Sequence, residues 1–210
     1  MSTLLQIIAT PHQNGNSQTR HLADSFLDAW LTVHPSGVVE TLDLSTLELP
    51  PLDEAMVSVL FDQPSTAAPE QLAARRRALD RLVAQFISAD AYLFVTPMWN
   101  FGLPHTLKHY FDLVIRPGWT FNIGAEGPVG LLAGKHSRGT TLAPQDHRTF
   151  NRDGEQFNVG ETFAGLPFAK AVGLTDQLKP ILGVGVKGES TTGGGPSMAD
   201  LALRWILDFD

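Results

Sequence analysis

The sequence predicts an α/β fold: a doubly wound, five-stranded parallel sheet in the order 2-1-3-4-5, with helices on both faces. Three observations carry that prediction. The runs Leu4 to Ala9 and Ala91 to Val95 are apolar at successive positions rather than alternate ones, as in strands buried on both faces. Amphipathic stretches at helical spacing stand between the strands. Repeated strand, helix, strand units need right-handed crossovers, and those place helices on both sides of an open parallel sheet.

Each element follows in order. The first strand, Leu4 to Ala9, stops at Thr10-Pro11. A helix from Ser17 onward places Leu22, Phe26, Leu27 and Trp30 on one stripe and closes at His34-Pro35-Ser36-Gly37. Val38 to Leu44 is the second strand, and the stretch from Pro50-Pro51 through Pro64 to Pro69 reads as surface loop. Glu70 to Ser88 is an amphipathic helix with Leu72, Leu79, Leu82, Val83, Phe86 and Ile87 inward. Ala91 to Val95 is the third strand, ended by Pro97, which has no N–H for the ladder. Pro104 suits the first turn of the next helix, His105 to Ile115, with Leu107, Phe111, Val114 and Ile115 on its apolar side and Pro117-Gly118 as its stop. An apolar segment (Phe163 to Val172), a strand (Leu178 to Val186), a loop (Ser190 to Pro196) and a final helix capped by Ser197 complete the chain. In that last helix Met198, Leu201, Ala202, Trp205 and Ile206 share a face.

Composition narrows the function. The chain of 210 residues is 43% hydrophobic, enough for one domain with a substantial core. A net charge of −7 argues against a nucleic-acid groove or an anionic membrane as the main partner, and the run Arg75-Arg76-Arg77 reads as a solvated helix face. With no cysteine, thiol catalysis, disulfides and thiolate metal sites are excluded. Leu4 to Ala9 is too short for a signal-peptide core or a membrane span, and no basic residues precede it, so the expected location is the cytoplasm. No metal site is expected: His105 and His109 are the only histidines at i, i+4 spacing and no H-E-x-x-H is present. The absence of G-x-S-x-G speaks against a hydrolase.

Two stretches carry the chemistry. In an open parallel sheet the ligand crevice lies outside the carboxyl ends of the strands. After the first strand comes Thr10-Pro11-His12-Gln13-Asn14-Gly15-Asn16-Ser17-Gln18-Thr19, leading into a helix N-terminus. The hydroxyls of Thr10, Ser17 and Thr19, the Gln18 backbone N–H and the positive end of the helix dipole suit a dianionic phosphate. Capping of the helix by Ser17 or Asn16 is the plainer alternative. Neither GxxxxGK[ST] nor GxGxxG is present, which speaks against nucleoside triphosphates and dinucleotides on this turn. After the third strand, Pro97-Met98-Trp99-Asn100-Phe101-Gly102 offers a thioether, two aromatics and an amide to a flat ring. A phosphate and a flat ring across one switch-point crevice make FMN the simplest ligand.

Trp99 to Val114 lies in the segment PMWNFGLPHTLKHYFDLV, which closely resembles the PMYNFxxPxxLKxYFDLV segment of the bacterial FMN-dependent NADH azoreductase and quinone reductase family. Gly118-Trp119-Thr120-Phe121, the run GPVGLLAGK ending at Lys135, and Gly173-Leu174-Thr175-Asp176 extend the likeness. The resemblance implies a flavodoxin-like homodimer with FMN at the subunit interface. It also implies ping-pong, two-electron reduction of quinones or aromatic azo compounds by NADH or NADPH. Carried over by position, Thr10, Ser17, Gln18 and Thr19 hold phosphate, and Pro97, Met98, Trp99, Asn100 and Phe101 meet the flavin ring. Phe121 and Phe168 match aromatics of the substrate pocket, which Trp99 also lines. No side-chain acid or base is implied.

One segment departs from the family pattern. Where the family has an apolar strand and an SRGG-type loop, this chain has His136-Ser137-Arg138-Gly139-Thr140-Thr141-Leu142-Ala143-Pro144-Gln145. Without a gap, Arg138 to Ala143 is a polar fourth strand with Pro144-Gln145 as the loop; with a deletion, Ser137-Arg138-Gly139 is the loop. The departure keeps two alternatives open, a flavin-binding electron carrier and a flavodoxin-like protein without reductase activity. Asn151 to Asn158 reads as a lid or interface loop, and Asp112 as a solvent-facing or capping residue.

Overall fold

The computed structural model describes residues 2–11, 17–97, 99, 103–125, 127–132, 135–143, 148–150, 156–158 and 178–184, with Gln18 and residues from 136 onward described by their backbone. The element order is β1 (Thr3–Ile8), α1 (Gln18–Val33), β2 (Val38–Asp43), α2 (Glu54–Phe61), α3 (Pro69–Ser88), β3 (Ala91–Pro97), α4 (His105–Val114), β4 (Phe121–Gly124), β5 (Gly127–Gly130), β6 (His136–Ala143), β7 (Arg148–Phe150), β8 (Gln156–Asn158) and β9 (Leu178–Val184). The main sheet is parallel throughout and runs β2-β1-β3-β6-β9.

Successive residues of β1 and β3 serve opposite faces, as the pleat requires. Leu5, Ile7, Tyr92 and Phe94 belong to the cluster formed with α2, α3 and α4. Leu4, Ile8, Leu93 and Val95 belong to the cluster under α1, with Leu22, Phe26 and Trp30. That two-sided burial is why both strands read as continuous apolar runs. One polar residue interrupts β1: Gln6 is buried and accepts a hydrogen bond at 3.0 Å from the hydroxyl of Thr41, its register partner on β2. Gly37 sits so close to the buried Trp30 ring that a Cβ there would lie 2.5 Å from it.

An aromatic cluster stands on the α3 and α4 side. Phe86 and Tyr92 ring centroids are 4.8 Å apart, and Tyr110 and Phe111 pack beside them. The Tyr92 hydroxyl donates to the Phe86 carbonyl at 2.7 Å, while the Tyr110 hydroxyl is buried with no hydrogen-bond partner among the described residues. Burial pushes both phenols far above their ordinary pKa.

Several expectations change. Within the proline-punctuated stretch lies α2, whose first turn is capped by the Asp53 carboxylate accepting from Met56 N–H at 2.9 Å; Ala55, Met56 and Val59 are buried. The third strand continues past Val95 to Pro97, which pairs with Leu142 of β6. Pro104 occupies the N-cap of α4 rather than its first turn, and the last helical residue is Val114. A hairpin, β4 and β5, follows α4; nothing in the sequence reading anticipated it. The segment from 136 to 143 forms β6 between β3 and β9, so the chain takes the ungapped register, starting two residues earlier than Arg138. Pro180 is tolerated in β9 because that strand lies at the sheet's edge. Within the expected polar loop, Gln156–Asn158 pairs as a strand with Arg148–Phe150. The final helix, the 163–172 segment and the 173–176 element lie outside the described residues.

Candidate functional site

The site begins where three neighbouring parallel strands end together. Leu44 N–H donates to Ile8 O and Ala9 N–H donates to Val95 O, both at 2.8 Å, so the carboxyl ends of β2, β1 and β3 stay in register up to the turn. Thr10 follows, buried, and the chain re-enters described structure at Ser17. Ser17 is the N-cap of α1: its backbone is extended and its hydroxyl oxygen accepts from Arg20 N–H at 3.4 Å. Capping uses the oxygen as acceptor and leaves the hydroxyl hydrogen for another group, so the cap and anion readings of Ser17 are compatible. The first intrahelical bond of α1 is His21 N–H to Ser17 O at 3.1 Å, and the N–H groups of Gln18 and Thr19 precede it, in the turn that has no intrahelical acceptors. Thr19 is buried beside them.

Arg20 joins these parts. Its Nη2 donates to Thr10 O at 3.3 Å and to Asp43 Oδ2 at 2.8 Å, tying the end of β1, the start of α1 and the end of β2 into one knot. Asp43 also accepts from the Ser45 N–H at 2.9 Å and the Ser45 hydroxyl at 2.6 Å. Burial works against the Asp43 charge, but the Ser45 and Arg20 hydrogen bonds outweigh it and hold the carboxyl below its ordinary pKa. Neither Arg20 nor Asp43 was singled out from the sequence. The available signal was a cation in the first turn of a helix, where the dipole disfavours it unless an anion is near. A turn with hydroxyls and N–H groups that have no intrahelical acceptor suits a phosphate dianion, and the Arg20–Asp43 pair fixes the shape of that turn.

Beside this socket, β3 ends at half-buried Pro97, and the buried Thr96 hydroxyl donates to Pro97 O at 3.1 Å. Trp99 stands beyond it, 42% exposed. Because β1 and β3 are adjacent, Thr10 and Pro97 leave the same end of the sheet. Met98, Asn100, Phe101 and Phe168 lie outside the described residues.

Phe121 is placed by a different device. It opens β4, half-buried, just after a turn running from Arg116 to Thr120. Gly118 adopts φ +79°, a conformation suited to glycine, and its N–H donates to Phe121 O at 2.7 Å. The β4 and β5 hairpin leaves Trp119, Ile123, Val129 and Leu131 exposed.

Other residues named from the sequence have structural partners. Arg75 bonds Asp53 at 2.6 Å and Arg76 bonds Asp62 at 3.2 Å, so two members of the basic run reach the ends of α2, while Arg76 and Arg77 lie exposed on the helix face. Asp112 pairs with Lys108 one turn earlier on α4. His109 Nε2 lies 3.0 Å from Pro50 O. Lys135 donates to the carbonyls of Ile87 and Ala89 at 2.5 and 2.6 Å, neutralising the C-terminal end of α3. A groove of about 620 Å³ between β2 and α3, lined by Glu40, Leu42, Pro50 and Leu82, is a separate feature.

A family model described as a flavodoxin-like fold matches residues 2–174. An FMN-dependent NADH:quinone oxidoreductase from Desulfotalea psychrophila is 40% identical over 137 residues, covering 64% of this chain and 64% of that relative. The aligned region thus spans just under two thirds of that relative's length. A protein of the same name from Marinomonas sp. (strain MWYL1) is 33% identical over 195 residues, 92% of this chain and 89% of its own. The crystal structure of an azoreductase from Bacillus anthracis str. Sterne superposes with a TM-score of 0.70 at 25% identity, covering 87% of this chain and 86% of that one.

Proposed function

Since the chain belongs to the flavodoxin-like fold family, matched over residues 2–174, we propose that it binds FMN at the carboxyl ends of β1 and β3. It acts, on this reading, as an FMN-dependent NAD(P)H:quinone oxidoreductase or azoreductase, the activities its relatives' names carry. The observation that carries the reading is the pair of neighbouring sites at one end of the sheet: the Thr10, Ser17 and Thr19 socket, and the β3 exit with Trp99. The socket fits a phosphate by its donors: Ser17 keeps a hydroxyl hydrogen and α1 presents N–H groups, while the Arg20–Asp43 pair holds the turn in place. In flavodoxin terms, β6 and β9 stand as fourth and fifth strands, giving the order 2-1-3-4-5.

Bound FMN supplies two-electron chemistry, with hydride entering from NADH or NADPH and two electrons leaving to a quinone or aromatic azo compound in a ping-pong cycle. The protein's own part is to bind and orient. Thr10, Ser17, Gln18 and Thr19 hold the phosphate. Pro97, Met98, Trp99, Asn100 and Phe101 would form the wall for the ring, and backbone N–H groups of this loop, that of Asn100 included, would serve its polar edge. Trp99, Phe121 and Phe168 line the space for the acceptor. Two copies of the chain associate through the apolar hairpin surface around Ile123 and Val129, and the enzyme works in the cytoplasm. Among the described residues no helix is long and apolar enough to cross a membrane.

An absorbance spectrum of the purified protein after incubation with FMN, followed by NADH addition without oxygen and then benzoquinone, tests the proposal. Flavin bands that bleach with NADH and return with benzoquinone are expected. Bands that form with FMN but bleach only slowly with NADH, with slow NADH oxidation when benzoquinone is present, indicate an electron carrier, and protein that takes up no flavin sinks the reading altogether. A Thr10→Ala, Ser17→Ala double variant with unchanged FMN affinity would overturn the socket.

A further inference from the structure

We infer that Thr120 is a positioning residue for acceptor binding: its hydroxyl closes the turn that sets Phe121 in place. The inference rests on the proposal that Phe121 lines the acceptor space. Thr120 is fully buried, and its Oγ1 makes two bonds to one residue, accepting from Arg116 N–H at 2.8 Å and donating to Arg116 O at 3.2 Å. The same Arg116 carbonyl faces the N–H groups of Trp119, Thr120 and Phe121 at 3.2, 3.0 and 3.4 Å. Arg116 itself is nearly buried, its guanidinium 5.7 Å from the Trp119 ring centre and 3.6 Å from Asp80 on α3. The turn is thus anchored to α3 at one end. At the other, Leu131 N–H donates to Thr120 O at 2.9 Å, anchoring it to the exit of β5. Phe121 is the next residue and its own backbone is held by the same turn, its N–H facing Arg116 O at 3.4 Å and its carbonyl accepting from Gly118 N–H at 2.7 Å, so a shift of this bracket moves the Cα from which its ring projects. A hydroxyl is needed because only a group that both accepts and donates can bridge the Arg116 N–H and carbonyl at once.

The test compares wild-type holoenzyme with Thr120→Val, Thr120→Ser and Gly118→Ala. Thr120→Val keeps the shape and removes both bonds. The expected result is a benzoquinone KM raised about 5- to 10-fold, a change of about 1–1.4 kcal/mol, with kcat and FMN affinity near wild type. Thr120→Ser restores KM. The dissociation constant of 2-naphthol, a planar aromatic that accepts no electrons, measured by fluorescence quenching of oxidised holoenzyme, rises in parallel with KM. A purely structural role would lower the yield of active enzyme and leave KM unmoved. Should Thr120→Val fail to fold, Gly118→Ala disturbs the same turn from its exposed side, where a Cβ meets nothing within 4 Å but the φ of +79° is strained, and the same KM rise is expected. Unchanged KM and 2-naphthol binding in the folded variants overturn the inference while leaving FMN binding and turnover standing. A wild-type protein that neither binds FMN nor reduces benzoquinone overturns the underlying reading, and this inference with it.

Discussion

Single side chains around the site hold its frame in place, and their effects separate by pH and by shape. Asp43 is the clearest case. Its carboxyl is held below the ordinary value in the folded chain, so the stability it contributes is present above the unfolded pKa, near 3.9, and is lost as pH falls through the lower folded value. Asp43→Asn should therefore destabilise the protein at neutral pH and flatten the part of the acid limb that lies below about pH 4; urea midpoints at pH 3 to 7 read both. If the variant keeps the wild-type acid slope, Asp43 is not the group responsible. A residue without chemistry matters equally. Gly37 leaves no room for a Cβ against Trp30, so Gly37→Ala should cost about 1–3 kcal/mol, the usual penalty of overpacking, measured as a lower urea midpoint at constant slope.

Among elements, α3 shows how a helix end is finished by a residue far along the chain. Lys135 places its ammonium on the Ile87 and Ala89 carbonyls just before β6 begins. Lys135→Met keeps the aliphatic stem and should lower stability by about 1.5–3 kcal/mol, the range for hydrogen bonds to a charged group; no change in urea midpoint would deny the cap any weight. The residue pattern made β1, β3, α1 and most of α3 legible, because burial on two faces and on one stripe leaves periodic traces in the sequence. It did not reveal α2, whose eight residues between prolines carry only Asp53 as a start signal and Met56 and Val59 as a short apolar stripe. The hairpin escaped because its strands are four residues each and its apolar side faces outward. β6 was ambiguous because glycine and threonines imitate a loop. At the site, Thr10, Ser17 and Thr19 could be named from local motif, whereas Arg20, Asp43 and Thr120 act through partners that only tertiary contact reveals.

For the molecule as a whole, the exposed Ile123 and Val129 on one hairpin are the strongest reason to expect self-association. Ile123→Glu should convert a dimer into a monomer in light scattering, because a carboxylate placed in an apolar interface pays its desolvation without a partner; a variant of unchanged mass would move the interface elsewhere. The aromatic cluster beneath β3 has a practical consequence. The chain contains two tyrosines, and both Tyr92 and Tyr110 are fully buried with phenols held neutral by burial. Their contribution to stability is complete below the unfolded pKa of about 10 and is lost as pH rises towards the higher folded values. Ionised tyrosine absorbs where the neutral phenol does not, so native protein should stay optically silent in that band well above pH 10 and brighten only as the core opens. The molecule carries its own dye for following alkaline unfolding.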